Sequence, residues 1–148
     1  MAIPEDSSIY YAGFLSESEK WGALVGAELL VMPSELESLS MVTLEAWSVG
    51  KAVLANGKCD VLKGQCLRSD AGLYYDNYYE FKEALTLLES DETLRRGLGI
   101  NGKRYYRDHY HWAVIEEKYN RILRALRAQD DAREAKAPKA GFFTRWLG

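Results

Sequence analysis

Three short apolar runs, each followed by polar or turn-forming residues, constrain the fold of this chain more than any other feature. The runs are Leu29–Met32, Ala52–Ala55 and Gly72–Tyr75. Continuous apolar runs of about four to eight residues are typical of strands that are buried on both faces of a parallel sheet. Segments with helical spacing separate them, roughly at residues 39–48 and 60–67. This alternation of strands and helices predicts an α/β fold.

A further run, Ile9–Ala12, precedes these three and also has the character of a strand. Ser16 or Ser18 follows it at a position that suits the N-cap of a helix. Together the runs predict a Rossmann-like parallel sheet of about four strands with flanking helices. Ligands bind at the carboxyl ends of the strands in such sheets, so we expect a site at residues 33–40 and 56–60.

The rest of the chain is predicted to be helical. Apolar spacing predicts two helices between residues 81 and 98, with Asp91 placed to cap the second, and a long helix over residues 112–126. Beyond this stripe the sequence becomes polar. We therefore expect one folded domain over residues 1–128 and a basic, disordered tail over residues 129–148.

The charge of the tail differs from that of the rest of the chain. Residues 132–148 have a net charge of +3, from Arg133, Lys136, Lys139 and Arg145 against Glu134. Because the whole chain has a net charge of −3, residues 1–131 carry −6. That balance argues against a nucleic-acid partner. The apolar residues at 142–147 add the expectation of a weak contact with a membrane or a partner helix.

Two further features bear on the cellular compartment. Residues 1–6 have neither the basic nor the apolar segment of a signal peptide, and no apolar run approaches the ~18–20 residues that cross a bilayer. Cys59 and Cys66 do not have the spacing of zinc ligands, and two thiols do not form a disulfide framework. We therefore expect a cytoplasmic location and two reduced thiols.

The segment after Leu29–Met32 carries the strongest indication of chemistry. The first turn of a helix has unpaired backbone N–H groups and a partial positive charge, which together suit a phosphate. Glu37 lies in the predicted loop and Glu45 lies about two turns into the predicted helix. Carboxylates accept hydrogen bonds from hydroxyl groups, so the pair suits a sugar on one side of a phosphate and a ribose on the other. Solvated surface glutamates are the alternative that spacing alone leaves open.

The residues around these two acids resemble the signature of group 1 glycosyltransferases, a family with the GT-B fold. The matching positions are Pro33-Ser34 after a strand, Glu37-Ser38 in the loop, Glu45-Ala46 in the helix and Gly50 before the next strand. The resemblance extends over about residues 9–126, and Ala71–Tyr75 resembles the last strand of the family's sheet. It implies the donor-binding domain of a two-domain enzyme, truncated at its N-terminus.

The family transfers a sugar from a nucleotide diphospho-sugar to an acceptor, mostly with retention of configuration and without an obligatory metal or cofactor. By resemblance, Glu37 is the catalytic residue and binds hydroxyl groups of the donor sugar, while Glu45 binds the ribose. The other implied donor contacts are Ser38, Leu39, Ser40, Met41, Val42 and Thr43. Lys58 and Asp60, after the next strand, are further candidates for donor contact, with solvated surface charge as the alternative.

Two departures from the family pattern bear on activity. Leu39-Ser40 stands where the family has an aromatic residue and a glycine, which crowds a place where backbone meets ligand. The basic pair that neutralises the diphosphate has no counterpart, since Lys20, on a predicted helix, is the only basic residue before Pro33. The acceptor domain has no counterpart either. Because charge stabilisation is usually the largest catalytic term, we expect the isolated chain to be inactive or slow.

Two interpretations remain open. The chain is either a donor-binding fragment or subunit of a glycosyltransferase, or a non-catalytic binding or assembly module that derives from such a domain and pairs with a fuller enzyme. The family's sheet order, 3-2-1-4-5-6, places two strands between the runs at Ile9–Ala12 and Leu29–Met32. Either another polypeptide supplies them, or Ile9–Ala12 pairs with Leu29–Met32 in a new place.

Overall fold

The computed structural model describes residues 8–136, which divide into one unit that ends at Tyr110 and another that begins at His111. The elements are α1 (Glu17–Gly26), β1 (Leu29–Met32), α2 (Met41–Ser48), β2 (Ala52–Asn56), α3 (Asp60–Ser69), β3 (Gly72–Tyr75), α4 (Tyr78–Ser90), α5 (Glu92–His109) and α6 (Trp112–Lys136). The α/β fold predicted from the alternating apolar runs is confirmed.

The three predicted apolar runs form one parallel sheet in the order β1-β2-β3. In this register Val31 lies opposite Leu54, which lies opposite Leu73. All five residues of the central strand β2 are buried, as a strand covered on both faces requires. Because the strands are parallel, their carboxyl ends meet at one edge of the sheet, which receives the loops that follow Met32, Asn56 and Tyr75.

The predicted strand at Ile9–Ala12 is wrong. These residues have no regular structure, and the side chains of Tyr10 and Tyr11 are exposed. Among residues 8–136, β1 pairs only with β2, so the expected pairing of Ile9–Ala12 with Leu29–Met32 is also wrong. A strand needs a hydrogen-bonded neighbour along its length, and the described part of the chain provides none for this segment. The sheet therefore has three strands there rather than about four.

The alternation of side chains along β2 divides the core into two parts. Val53 and Ala55 pack with α2 and α3, in a cluster that includes the buried Trp47. Ala52 and Leu54 pack on the opposite face, in a cluster with buried leucines of α4 and α5. The sheet thus has helices on both faces, which gives the layered arrangement of a Rossmann-like domain.

Local signals fixed two of the helix starts. Ser16 caps α1 in a capping box, since its side chain accepts from the Glu19 N–H and the Glu19 carboxylate accepts from the Ser16 N–H. Asp91 caps α5, and its Oδ1 lies 2.8 Å from the N of Leu94. The predicted caps at Ser16 and Asp91 are confirmed. Ser18, the other candidate for α1, lies within the helix.

Close contact between α2 and α5 depends on glycines. A Cβ added at Gly99 would overlap the carbonyl oxygen of Gly50, and one added at Gly102 would overlap the indole ring of Trp47. Gly50 itself follows α2 with a φ of 77°, a conformation that favours glycine. The glycines of α5 therefore allow the backbone of the helix to approach α2 without interrupting its helical course.

The helix α6 is described by itself and has no buried residue. It continues to Lys136, so residues 129–136, which the sequence assigned to a disordered tail, are helical. Six of these eight residues are strong helix formers: Gln129, Ala132, Arg133, Glu134, Ala135 and Lys136. The predicted membrane contact at residues 142–147 lies outside the described residues. Among residues 8–136, no helix combines the length and the apolar character needed to cross a bilayer.

Candidate functional site

The predicted site begins where the β1–α2 loop (residues 33–40) enters α2. Ser40 is the N-cap of α2, with φ 54° and ψ 80°, and its side chain makes no capping hydrogen bond. Its Oγ instead lies 2.9 Å from Oγ1 of Thr43, in a buried hydroxyl pair. The first N–H groups of a helix have no intrahelical partner, and here the N-cap side chain does not supply one. This helix start therefore keeps its capacity to bind an anion.

Two amide side chains hold the ends of the β1–α2 loop. At its beginning, Nδ2 of Asn56 donates to the carbonyl oxygen of Pro33 at 3.0 Å. At its end, Nε2 of Gln65 donates to the carbonyl oxygen of Leu39 at 2.8 Å. Both side chains are buried and come from β2 and α3. The position of the loop is therefore fixed by the neighbouring β2–α3 unit.

The middle of this loop is open to solvent. Leu36 is exposed, and so is Ser38, whereas the side chain of Glu37 is partly buried between them. Ser34 turns the first part of the loop by donating from Oγ to the carbonyl oxygen of Leu36 at 3.0 Å. Glu37 thus lies on a solvent-accessible segment whose two ends are held by hydrogen bonds. Such a position leaves its side chain within reach of a ligand.

Glu45 forms an ion pair that the sequence analysis did not predict. Its Oε1 lies 3.0 Å from Nζ of Lys20, on α1, and the two side chains are 21% and 31% exposed. The same ammonium group lies 3.0 Å from Oε2 of Glu17. Its hydrogen bonds raise the pKa of Lys20 above the ordinary value, and the bond to Glu17 has a larger effect than the bond to Glu45. The one basic residue before Pro33 therefore lies beside a predicted donor-binding carboxylate.

The remaining residues of the predicted α2 site differ in exposure. Met41, the first residue of the helix, is exposed. Val42 lines an apolar pocket of about 290 Å³ between α1, α2 and β1, together with Leu15, Leu24 and Leu30. Backbone groups of Met41 and Val42, rather than their side chains, suit contact with a polar ligand at this helix start.

A second pocket, of about 390 Å³, lies at the carboxyl edge of the sheet beside α4. Its apolar wall includes Tyr75 and Phe81, whose rings meet edge to face with centroids 5.0 Å apart. Lys58 lies at this pocket with Glu35, and their charged groups are 3.9 Å apart. Asp60 begins α3 and is exposed. Of the two additional donor candidates, Lys58 is thus placed at a pocket of the carboxyl edge.

Gln65 is a further residue that the sequence analysis missed. It is 1% exposed, and its Oε1 has no hydrogen-bond partner among residues 8–136. The sequence held a signal, because Leu62, Gln65, Cys66 and Ser69 follow the i, i+3, i+4, i+7 spacing of a buried helix face. A polar amide on that face indicates a specific partner, which here is the carbonyl oxygen of Leu39.

The two cysteines lie inside the fold. Both are free thiols and both are buried, and burial raises the pKa of the Cys66 thiol to about 11. No group of three or more His, Cys, Asp or Glu side chains among residues 8–136 is arranged to hold a metal ion.

Comparisons with known proteins bear on this arrangement. A family model described as glycosyl transferases group 1 matches residues 6–105. A solved structure of sucrose-phosphate synthase from Thermosynechococcus elongatus is similar to this chain, with 25% identity and a TM-score of 0.62. The match covers 70% of this chain and 26% of that protein, so the chain spans about a quarter of its length.

The family match takes in the sheet, the β1–α2 loop and most of α5, and the TM-score of the structural match shows that its fold is similar over the matched part. The residues that carry the resemblance, Glu37-Ser38 and Glu45-Ala46, lie within the matched range. This chain belongs to the group 1 glycosyltransferase family.

Proposed function

We propose that this chain binds a nucleotide diphospho-sugar donor for glycosyl transfer, with the diphosphate at the start of α2. The observation that carries the proposal is the junction at Ser40, where a helix without a side-chain cap begins at the carboxyl edge of a parallel sheet. Helix starts at that edge supply N–H donors and a partial positive charge to phosphate groups. The backbone of residues 39–42 forms this cradle.

The two glutamates take the ends of the donor. Glu37, on the accessible middle of the loop, binds hydroxyl groups of the sugar and acts as the catalytic residue for transfer, with retention of configuration. Glu45, on α2, binds the ribose. Its ion pair with Lys20 engages Oε1, and a carboxylate has a second oxygen that accepts hydrogen bonds from hydroxyl groups.

The residues around the cradle contribute less directly. Ser38 and Leu39 shape the approach to the helix, and the hydroxyl of Thr43 supports the Ser40 turn through their hydrogen bond. Lys58 and Asp60 provide charge at the same edge of the sheet, where Lys58 lies at the second pocket. We propose a cytoplasmic setting for this reaction.

A partner completes the enzyme in this proposal. The acceptor site comes from another domain or a second polypeptide, and the isolated chain transfers sugar slowly or not at all. The open side of β1 supports this, since among the described residues β1 pairs only with β2. The apolar pocket beside it, lined by Leu24 and Leu30, has the character of a surface that another chain segment covers.

That same open edge supports the second candidate function, a non-catalytic assembly module that pairs with a fuller glycosyltransferase. The two functions differ in what the chain itself binds. A donor-binding chain binds nucleotides by itself. An assembly module needs only the open edge of β1, through which it would contact the fuller enzyme.

Calorimetric titration with UDP, GDP, ADP and their sugars tests the donor proposal. Glu45→Gln should raise the Kd of the nucleotide and of its sugar by about tenfold or more, because a charged hydrogen-bond acceptor is lost. Glu37→Gln should weaken only the nucleotide sugar. Glu92→Gln, which removes an exposed carboxylate of α5 that pairs with Arg96, is the control and should bind as the unchanged chain does. Binding of no nucleotide in the panel would favour the assembly module.

A further inference from the structure

Gln65 is buried, and its hydrogen-bonding groups are only partly satisfied within residues 8–136. Its Nε2 has one partner, the carbonyl oxygen of Leu39, while its Oε1 has none among residues 8–136. A buried polar atom without a partner is destabilising, because it has lost its hydrogen bonds to water. Asn56, the other amide that holds the β1–α2 loop, uses both ends of its side chain, since Oδ1 also accepts from the Lys58 N–H at 3.0 Å. The two amides therefore differ in how well they are satisfied.

The orientation of the Gln65 amide follows from its partner. A carbonyl oxygen only accepts hydrogen bonds, so the atom that faces Leu39 must be the donating nitrogen. The side chain thus holds the Leu39 carbonyl against α3 at 2.8 Å. The two residues are 26 positions apart in sequence. The contact joins the loop, which leads into α2, to the helix α3.

Holding this carbonyl also fixes the N–H of Ser40. The described chain has no cis peptide bond, and in a trans peptide the C=O of one residue and the N–H of the next point to opposite sides. Because the Leu39 carbonyl faces α3, the Ser40 N–H faces away from α3. The positive φ of Ser40, 54°, then leads the chain directly into α2.

We infer that Gln65 is a positioning residue for donor binding, which acts by holding the Leu39–Ser40 peptide so that the Ser40 N–H meets an oxygen of the nucleotide diphospho-sugar. This inference rests on the proposed function of the α2 cradle. It assigns the role to a residue of α3 that touches the loop and not the ligand. The Nε2 of Gln65 holds the Leu39 carbonyl while its Oε1 is left without a partner among residues 8–136.

Gln65→Met tests the inference, because methionine has a similar length and no group that donates to a carbonyl. We expect the urea midpoint of unfolding to change little, since the loss of the hydrogen bond to the Leu39 carbonyl and the removal of the unsatisfied Oε1 act in opposite directions. The amide NMR signals of Ser40 and Met41 should shift or broaden, and the Kd of the nucleotide sugar should rise about tenfold. A purely structural role would lower the unfolding midpoint and leave the affinity of the folded chain unchanged.

Ser69→Ala is the matched control, since Ser69 is a buried polar residue one turn further along α3 and its Oγ contacts the carbonyl oxygen of Cys66. It should alter neither the Ser40 signal nor the affinity. Unchanged affinity in Gln65→Met overturns the inference while leaving the proposed function intact. If the unchanged chain binds no nucleotide, the proposed function fails. The Ser40 signal, which needs no ligand, then decides separately whether Gln65 holds this peptide.

Discussion

The ammonium group of Lys20 lies 3.0 Å from Oε1 of Glu45, and this ion pair joins α1 to the helix that carries the proposed ribose ligand. The contact brings a cation to one oxygen of the Glu45 carboxylate. It also places a positive charge beside the proposed donor site.

Lys20→Met tests whether this contact orients Glu45. Partly exposed ion pairs contribute about 0–1 kcal/mol to stability, so we expect the unfolding midpoint to change little. Nucleotide affinity should fall by about threefold, less than in Glu45→Gln, because the carboxylate remains but is no longer held. Lys63→Met, which breaks the 3.5 Å pair with Asp76, is the control. Tighter binding in Lys20→Met would mean instead that Lys20 competes with the ligand for Glu45.

The left-handed conformation of Ser40 makes a second prediction, about stability. A non-glycine residue at φ 54° costs about 1–2 kcal/mol relative to glycine, but Ser40→Gly also leaves the buried Thr43 hydroxyl without its partner. Ser40→Gly combined with Thr43→Val removes both hydroxyl groups. We expect the double variant to be more stable than the unchanged chain by about 1 kcal/mol in urea unfolding. Thr43→Val alone should be destabilising, and a double variant less stable than the unchanged chain would show that Ser40 is not strained.

The glycines of α5 allow a matched pair of substitutions. Gly99→Ala should destabilise the fold by about 2–3 kcal/mol, because the added Cβ meets the backbone of Gly50, which cannot rotate away. An added Cβ at Gly97 has no atom within 4 Å. Gly97→Ala should therefore stabilise by about 0.5–1 kcal/mol through helix propensity. Thermal unfolding measures both, and equal effects would argue against the close contact of α2 and α5.

Cys66 gives the stability of the fold a dependence on pH. Burial raises its pKa from 9.0 to about 11, so between these values the folded state keeps a proton that the unfolded state has lost. The contribution of the Cys66 thiol to the free energy of unfolding is therefore fully present below pH 9 and is lost as the pH rises towards 11. Unfolding free energies of the unchanged chain and Cys66→Ala at several pH values check this, and their difference should narrow by about 2–3 kcal/mol across the window. A constant difference would contradict the raised pKa.

The elements that were predicted correctly from the sequence are those that depend on residues close together along the chain. The runs at β1, β2 and β3 are apolar enough to identify buried strands, and Ser16 and Asp91 cap helices through contacts three residues away. Ile9–Ala12 has the composition of a strand, but no segment within residues 8–136 pairs with it. Composition reports the tendency of a segment to form a strand, whereas pairing depends on distant segments.

The candidate site shows the same limit. The resemblance identified Glu37 and Glu45, but the contacts that hold the site join residues far apart in sequence. Lys20 is 25 positions from Glu45, and Gln65 is 26 positions from Leu39. Each of these residues has an ordinary role when viewed alone, as a surface cation or as a polar residue on a helix. The packing of α1 against α2 and of α3 against β2 brings them to the site.

The two amides of the β2–α3 unit have a consequence for how such a chain can diversify. They donate hydrogen bonds to the carbonyl oxygens of Pro33 and Leu39. These bonds do not depend on which side chains stand between those two residues. Substitutions at residues 35–38 can change the chemistry offered to a ligand while the framework on either side stays as it is. Selection for a new sugar would thus act on a short, tolerant stretch, and libraries randomised there should keep a high proportion of folded members.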